Sequence, residues 1–242
     1  MSTDPWEVHA GWWRAAFTDG ADPEYAEQIL PIVAAHLPGA AEVLDLGAGE
    51  GHIARLAASP DGAPRRVVGI DAAAAQLDNA RASAGGPAYV RADATTLPLR
   101  ASCFDAAIAC LVLEHIEAAE DAIAEVGRVL RAGGRFLVFI NHPLTQAPGS
   151  GWIDDHILEE QYWRVGRYLV EETTVEEVDK DIKIPFVHRP LSHYVNAMAR
   201  AGLTIVEMQE PAPPPGFLLE AEEYVEAATI PRLMFIRAEK AS

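Results

Sequence analysis

Basic residues are scarce in this 242-residue chain: 19 lysines and arginines stand against 36 aspartates and glutamates, a formal net charge of -17. Nucleic acid and anionic membranes both demand a positive patch, so the balance argues against either partner. It leaves room for a small-molecule substrate in a local pocket. Cysteine is almost missing. Cys103 and Cys110 fit no metal or redox spacing and read as small buried residues flanking one strand. No disulfide framework is implied, which suits a reducing cytoplasm. The start, Met-Ser-Thr-Asp-Pro-Trp-Glu, lacks the basic-then-apolar pattern of a signal peptide. Long apolar runs are lacking too: Ala106 to Leu113 falls far short of the roughly 18–20 residues that span a bilayer. The expectation is a soluble, cytoplasmic protein, monomer or homodimer. Its histidines are scattered, without metal spacing, so no metal is expected.

What is present is a sizeable apolar fraction, half of all residues, in a length that suits one domain with an insertion or cap. Three blocks emerge. Residues 1–40 are first aromatic (Trp6, Trp12, Trp13, Phe17). They then carry Ile29, Ile32, Val33 and Leu37 at helical spacing until Pro38-Gly39. This block reads as an N-terminal helical arm or cap.

Residues 41–141 alternate strand and helix. Strands are expected at 43–46, 66–70, 88–91, 104–110 and 136–140, with helices at about 51–59, 72–84 and 117–130. Apolar runs this continuous suit strands covered on both faces, and the alternation argues for a doubly wound α/β sheet. Residues 142–189 hold aromatics and acids without a clear strand–helix unit and read as a cap insertion. Residues 190–242 return to pattern, with a helix from Leu191 between Pro190 and Gly202, then strands at 203–208 and 233–236, the C-terminal part of the core sheet.

The chemistry concentrates at Asp45-Leu46-Gly47-Ala48-Gly49-Glu50-Gly51, directly after the first strand. Glycines in such a turn let a ligand approach the backbone. Asp71 ends the second strand, 24 residues after Gly47, where an acid can accept hydrogen bonds from both hydroxyls of a ribose. Together these form a nucleotide fingerprint in its required context. The dinucleotide frame G-x-G-x-x-G fails, because its third position is His52. The observed frame is acid-x-G-x-G-x-G.

At this point the chain resembles the class I S-adenosyl-L-methionine (SAM)-dependent methyltransferases, of the small-molecule type related to ubiquinone- and menaquinone-pathway enzymes. The resemblance rests on Val43-Leu-Asp-Leu-Gly-Ala-Gly-Glu-Gly51, Val68-Gly-Ile-Asp71, Ala92-Asp-Ala94, Phe104-Asp105, Leu113-Glu-His-Ile116 and Leu130-Arg-Ala-Gly-Gly-Arg-Phe136. It implies a Rossmann-like sheet of seven mostly parallel strands, the last antiparallel to the rest, with a helical cap from the N-terminus and the segment after strand five. It also implies SAM as cofactor. Asp45 and the backbones of Gly47 and Gly49 would face the methionine moiety, with Gly51 completing the loop. Asp71 would hold the ribose, with Ala72 beside the adenine. Asp93 would take the adenine amino group near the Ala94 amide, and Leu111 would close over the cofactor. Asp105 starts its strand away from that edge and reads as structural.

Ligands in open α/β sheets bind outside the carboxyl ends of the strands. His142 follows strand five and His115 follows strand four, so both are candidates for a general base. The competing readings are a backbone contact for His142 and a helix cap for His115. His188 and Arg189 contact substrate or anchor the cap, with anchoring favoured. Trp152, Tyr162, Trp163 and Tyr168 either clamp an acceptor or form the cap's own core. Trp12, Trp13 and Arg14 cover the cofactor's carboxylate end or simply pack. The expected reaction is methyl transfer to a small organic acceptor, through a hydroxyl or carboxylate oxygen in preference to carbon or nitrogen; a non-catalytic SAM-binding regulatory domain is the rival.

Overall fold

The computed structural model describes residues 4–17, 22–58, 65–83, 85–221, 224 and 226–241. Ser59 and Ala84, expected helix ends, and the opening Met-Ser-Thr lie outside the described residues. Along the chain run α1 (Pro5–Val8), α2 (Ala10–Phe17), α3 (Leu30–His36), β1 (Glu42–Leu46), α4 (His52–Ala58), β2 (Arg66–Asp71), α5 (Ala74–Ala82), β3 (Ala88–Arg91), β4 (Phe104–Cys110), α6 (Ala119–Val129) and β5 (Leu130–Asn141). Beyond them come β6 (Gly151–Asp155), β7 (Glu160–Arg164), β8 (Glu172–Asp179), β9 (Ile182–His188), α7 (Leu191–Arg200), β10 (Leu203–Gln209), α8 (Pro215–Glu220) and β11 (Leu233–Lys240).

Seven strands form one sheet in the order β10-β11-β5-β4-β1-β2-β3. All neighbours from β5 to β3 are parallel, and β11 runs antiparallel to both β5 and β10. The doubly wound, seven-stranded sheet expected from the sequence is therefore what the chain builds. Side chains alternate between two buried faces. Leu44, Leu46, Ala107, Phe136 and Val138 pack with α6 and α7, while Val43, Ile108, Leu137 and Phe139 pack with α3 and α4. Burial on both faces explains why these strands read as continuous apolar runs.

The strand order reverses at β1. Its neighbour β2 is reached through α4 on one side, and β4 lies on the other, which leaves a crevice at the carboxyl ends of β1 and β4. Ahead of α3 the helix widens to a π turn at Tyr25–Ile29. Pro31 lacks the N–H that would bond the Glu27 carbonyl, and the widened turn accommodates its ring. That turn brings Tyr25 to the crevice.

The segment after strand five departs from expectation. It is not a helical cap but two antiparallel hairpins, β6-β7 and β8-β9, each a separate two-stranded sheet. The reason is side-chain pairing: Trp152 lies opposite Trp163, Ile153 opposite Tyr162, and Thr174 opposite Phe186. Aromatic and β-branched pairs of this kind favour strands. The acids of 171–181 sit on or beside β8, where Glu177 and Asp179 are exposed. No helix among the described residues is long and apolar enough to cross a membrane.

Candidate functional site

The loop after β1 is shaped by glycine conformation. Gly47, Gly49 and Gly51 have φ of +69°, +52° and +84°, a region L side chains rarely adopt. A Cβ on Gly47 would also lie 2.2 Å from Cγ2 of Val112, so the Val112 side chain packs directly on the loop backbone. Ala48 N–H bonds the Ile70 carbonyl at 2.9 Å, tying the loop to the end of β2.

Asp71 pins the loop to the start of α5. Its Oδ2 accepts from the Gly49 amide and its Oδ1 from the Ala73 amide, both at 2.8 Å. Burial lifts its carboxyl above the usual range, and these two amides oppose the lift. Asp45, almost fully buried, carries an Oδ2 without a partner among the described residues. Burial, its largest influence, raises the Asp45 carboxyl to about 7. Asp93 is held differently: its Oδ1 accepts from the amide and hydroxyl of Thr95 at 2.8 and 2.7 Å, which keeps its carboxyl below the usual range.

These residues line a cavity of about 290 Å³. Of the expected cofactor residues, Asp45, Gly47, Gly49, Asp71, Ala72, Asp93, Ala94 and Leu111 all border it. Gly51 does not: its Cα faces the Tyr89 hydroxyl instead. The lining fits a ligand with adenosine at one end and positive charge at the other. It offers a buried carboxyl with one free oxygen, two further carboxyls at strand ends, and a glycine backbone that a side chain would block. A cation near Asp45 would offset the cost of ionising that buried group.

His115 also lines the cavity. Its Nδ1 lies 2.9 Å from the Pro185 carbonyl on β9, so Nδ1 carries the proton and donates. Nε2 then holds a lone pair and has no partner among the described residues. Burial lowers its pKa to about 4, against the pull of the Pro185 bond. Trp6 meets the ring edge-on at 4.8 Å and Phe186 packs at 4.5 Å.

His142 does not line this cavity, and its contacts fit the alternative reading of a backbone contact. Its Nε2 lies 2.8 Å from Glu210 Oε1, its Nδ1 accepts from the Leu144 amide at 3.1 Å, and its own amide bonds the Arg232 carbonyl. Both ring nitrogens are engaged in holding the loop after β5. Arg189, 1% exposed, donates to the carbonyls of Leu113, Ile116 and Glu117, and His188 Nε2 lies 2.8 Å from the Tyr168 carbonyl. Arg189 therefore anchors the hairpin segment to the loop after β4, whereas His188 ties the end of β9 to the stretch between the two hairpins. Asp105 accepts from the amides of Ala41 and Glu42 and pairs with Arg131, far from the cavity.

Glu7, Trp6, Tyr25 and Cys110 are not marked as site residues by the sequence, whereas Trp13 is expected over the cofactor. Glu7 accepts from the amides of Ala74 and Ala75 at 2.7 and 2.9 Å, capping α5, and pairs with Arg91. That cap seats α1 beside Asp71. Trp6 and Trp13, in edge contact at 5.1 Å, then form one wall, and Tyr25, stacked on His52, forms another. Trp12 does not enter; its indole N–H donates to Asp179 on β8 at 2.7 Å. Cys110 also lines the cavity, beside the Tyr25 hydroxyl, with its thiol pushed up by burial and hence neutral.

Residues 44–138 match a family model described as a methyltransferase domain. The crystal structure of an S-adenosylmethionine dependent methyltransferase from Mesorhizobium loti shares the fold with a TM-score of 0.74 at 29% identity, covering 90% of this chain and 98% of that one. O-methyltransferase resE of Aspergillus sclerotiorum is 30% identical over 139 residues, 54% of this chain and 52% of its own length. The ubiquinone/menaquinone biosynthesis C-methyltransferase UbiE of Stutzerimonas stutzeri is 35% identical over 102 residues, 40% of each chain. The chain thus spans about half or less of the length of these curated relatives.

Proposed function

The chain carries a class I SAM-dependent methyltransferase domain, and from that premise we propose that its cavity binds SAM and that the protein methylates a hydroxyl oxygen of a small organic molecule. When bound, SAM supplies an electrophilic methyl group that an acceptor attacks in line. The chain's own residues do the rest. Asp71 holds the ribose hydroxyls while its amide bonds keep the glycine loop in place. Asp93 presents Oδ2 to the adenine amino group, and Asp45 in its ionised form faces the positive end. Trp6 and Trp13 keep water from the reacting centre.

The observation that carries the oxygen assignment is His115, with Nδ1 fixed on the Pro185 carbonyl and Nε2 unprotonated in the same cavity. Nε2 accepts the hydrogen bond of the acceptor hydroxyl and orients its lone pair. As the O–CH₃ bond forms, the oxygen's proton becomes far more acidic than an imidazolium, so it passes to Nε2 even though that nitrogen is a weak base. The proton then leaves to solvent. The N-terminal arm and the two hairpins act as the cap that closes over this step. Likeness to UbiE, named as a C-methyltransferase, favours carbon as the second reading.

Turnover with a panel of phenols, carboxylic acids and amines, analysed by the position of the added methyl, tests the reading. His115→Ala should lower kcat about 10²- to 10⁴-fold with SAM affinity unchanged. Intact turnover in that variant, or methylation at carbon alone, would overturn the oxygen mechanism. SAM binding without turnover on any acceptor would favour a binding domain instead.

A further inference from the structure

A second cavity of about 340 Å³ lies between the β6-β7 hairpin, α8 and the residues leading into β11. It shares no lining residue with the first. Its walls are aromatic. Trp152 stacks on Tyr224 with centroids 5.0 Å apart and planes 7° from parallel, and Trp163 meets Trp152 edge-on at 5.4 Å. Phe217 lies under the Arg232 guanidinium at 4.1 Å. Flat walls at right angles select a planar guest over a branched one.

The polar contribution is narrow. Arg232 gives Nε to Glu24 at 3.0 Å, which matches its charge, while its two terminal nitrogens have no hydrogen-bond partner among the described residues. Thr145 already donates its hydroxyl hydrogen to the His142 carbonyl. The Trp163 indole N–H, buried and without a partner among the described residues, is a further donor in the lining. The site therefore offers donors to an oxygen without demanding an anion, and the chain's net charge of -17 disfavours an anion further. The volume lies in the range of small-molecule sites. Arg232 also ties the two cavities together structurally. Its partner Glu24 precedes Tyr25, which lines the first cavity, and its carbonyl holds His142 at the end of β5.

We propose that this aromatic box is a second binding site, distinct from the cofactor cavity, for a neutral planar aromatic molecule bearing one hydrogen-bond-accepting oxygen. The ring system lies against the Trp152–Tyr224 wall, and the oxygen accepts from the terminal nitrogens of Arg232.

Calorimetric titration of the full chain with 2-acetylnaphthalene, and with 2-ethylnaphthalene as the oxygen-free match, tests this. The ketone should bind at one site with a dissociation constant on the order of 10–100 µM. Trp152→Leu, and independently Ala227→Leu, which fills the box from its buried far wall, should each weaken it at least about tenfold. Arg232→Met should bring the ketone down to the affinity of the hydrocarbon. Saturating S-adenosylhomocysteine should leave ketone binding in place. Competition by S-adenosylhomocysteine would put the ketone in the first cavity and overturn the proposal. So would binding indifferent to both wall variants, or no binding at all. The wall variants need no cofactor, so failure of the SAM reading leaves that part of the test standing.

Discussion

Lowering the pH from about 7 to about 5.5 should weaken SAM binding roughly 15-fold through the Asp45 carboxyl alone. Burial lifts that carboxyl to about 7, the Ala54 amide opposes the lift, and the nearby Asp71 and Glu50 carboxylates add to it. A positive ligand group favours the ionised form, so binding in the lower range must first expel a proton. With a midpoint near 7, about half of the carboxyls are ionised at pH 7 and about one in thirty at pH 5.5, a difference of about 1.6 kcal/mol in binding. Over that interval a ligand α-amino group stays mostly protonated, and the imidazole of His115, lowered to about 4, stays neutral. For the ligand-free fold the sign reverses. A carboxyl raised in the folded state stabilises it below the unfolded value of 3.8, and that contribution is lost as pH rises through about 7. Calorimetry at several pH values gives the slope, and Asp45→Asn should flatten it. A pH-independent affinity in the native chain, or an undiminished slope in Asp45→Asn, would refute this assignment of Asp45.

Gly47→Ala places a methyl against Val112 at a left-handed φ, and should cost about 1–3 kcal/mol in urea unfolding. Val112→Ala should restore part of it; no loss in the single variant would show that the loop is not tightly packed. His142→Ala should cost about 1–3 kcal/mol of stability, because the Leu144 amide and Glu210 lose their partner. Its turnover should stay close to that of the native chain, and a kcat lowered by orders of magnitude would return His142 to the role of base. Glu7→Gln weakens the cap on α5 and should loosen the arm by about 0.5–2 kcal/mol, read as faster SAM dissociation in stopped-flow tryptophan fluorescence. An unchanged dissociation rate would separate the arm from cofactor retention.

How far these features could be read in advance depends on the distance over which each is encoded. The sheet and the glycine loop at its carboxyl edge were legible because their signals are local. Continuous apolar runs such as 136–140 record burial on both faces, and glycines 47, 49 and 51 record backbone angles that other residues resist. The hairpins were not legible. Their pairs, Trp152 with Trp163 and Thr174 with Phe186, join residues 11–12 positions apart within a stretch that also carries ten acids. Acids mask the alternation that an amphipathic strand would show.

The amino-acid order by itself determined the strand–loop–helix frame and the acids at strand ends, because backbone conformation and burial pattern are properties of short segments. Only the tertiary structure decided which side chains meet across the cavity. Both histidines follow a strand at the ligand edge, and nothing local separates them. Packing does: Glu210 and the Leu144 amide hold His142 in the loop, whereas the Pro185 carbonyl, 70 residues away, fixes the tautomer of His115 at the cavity wall. Glu7 reaches α5 across 67 residues in the same way. Such contacts form when the chain closes on itself, and no short segment contains both partners.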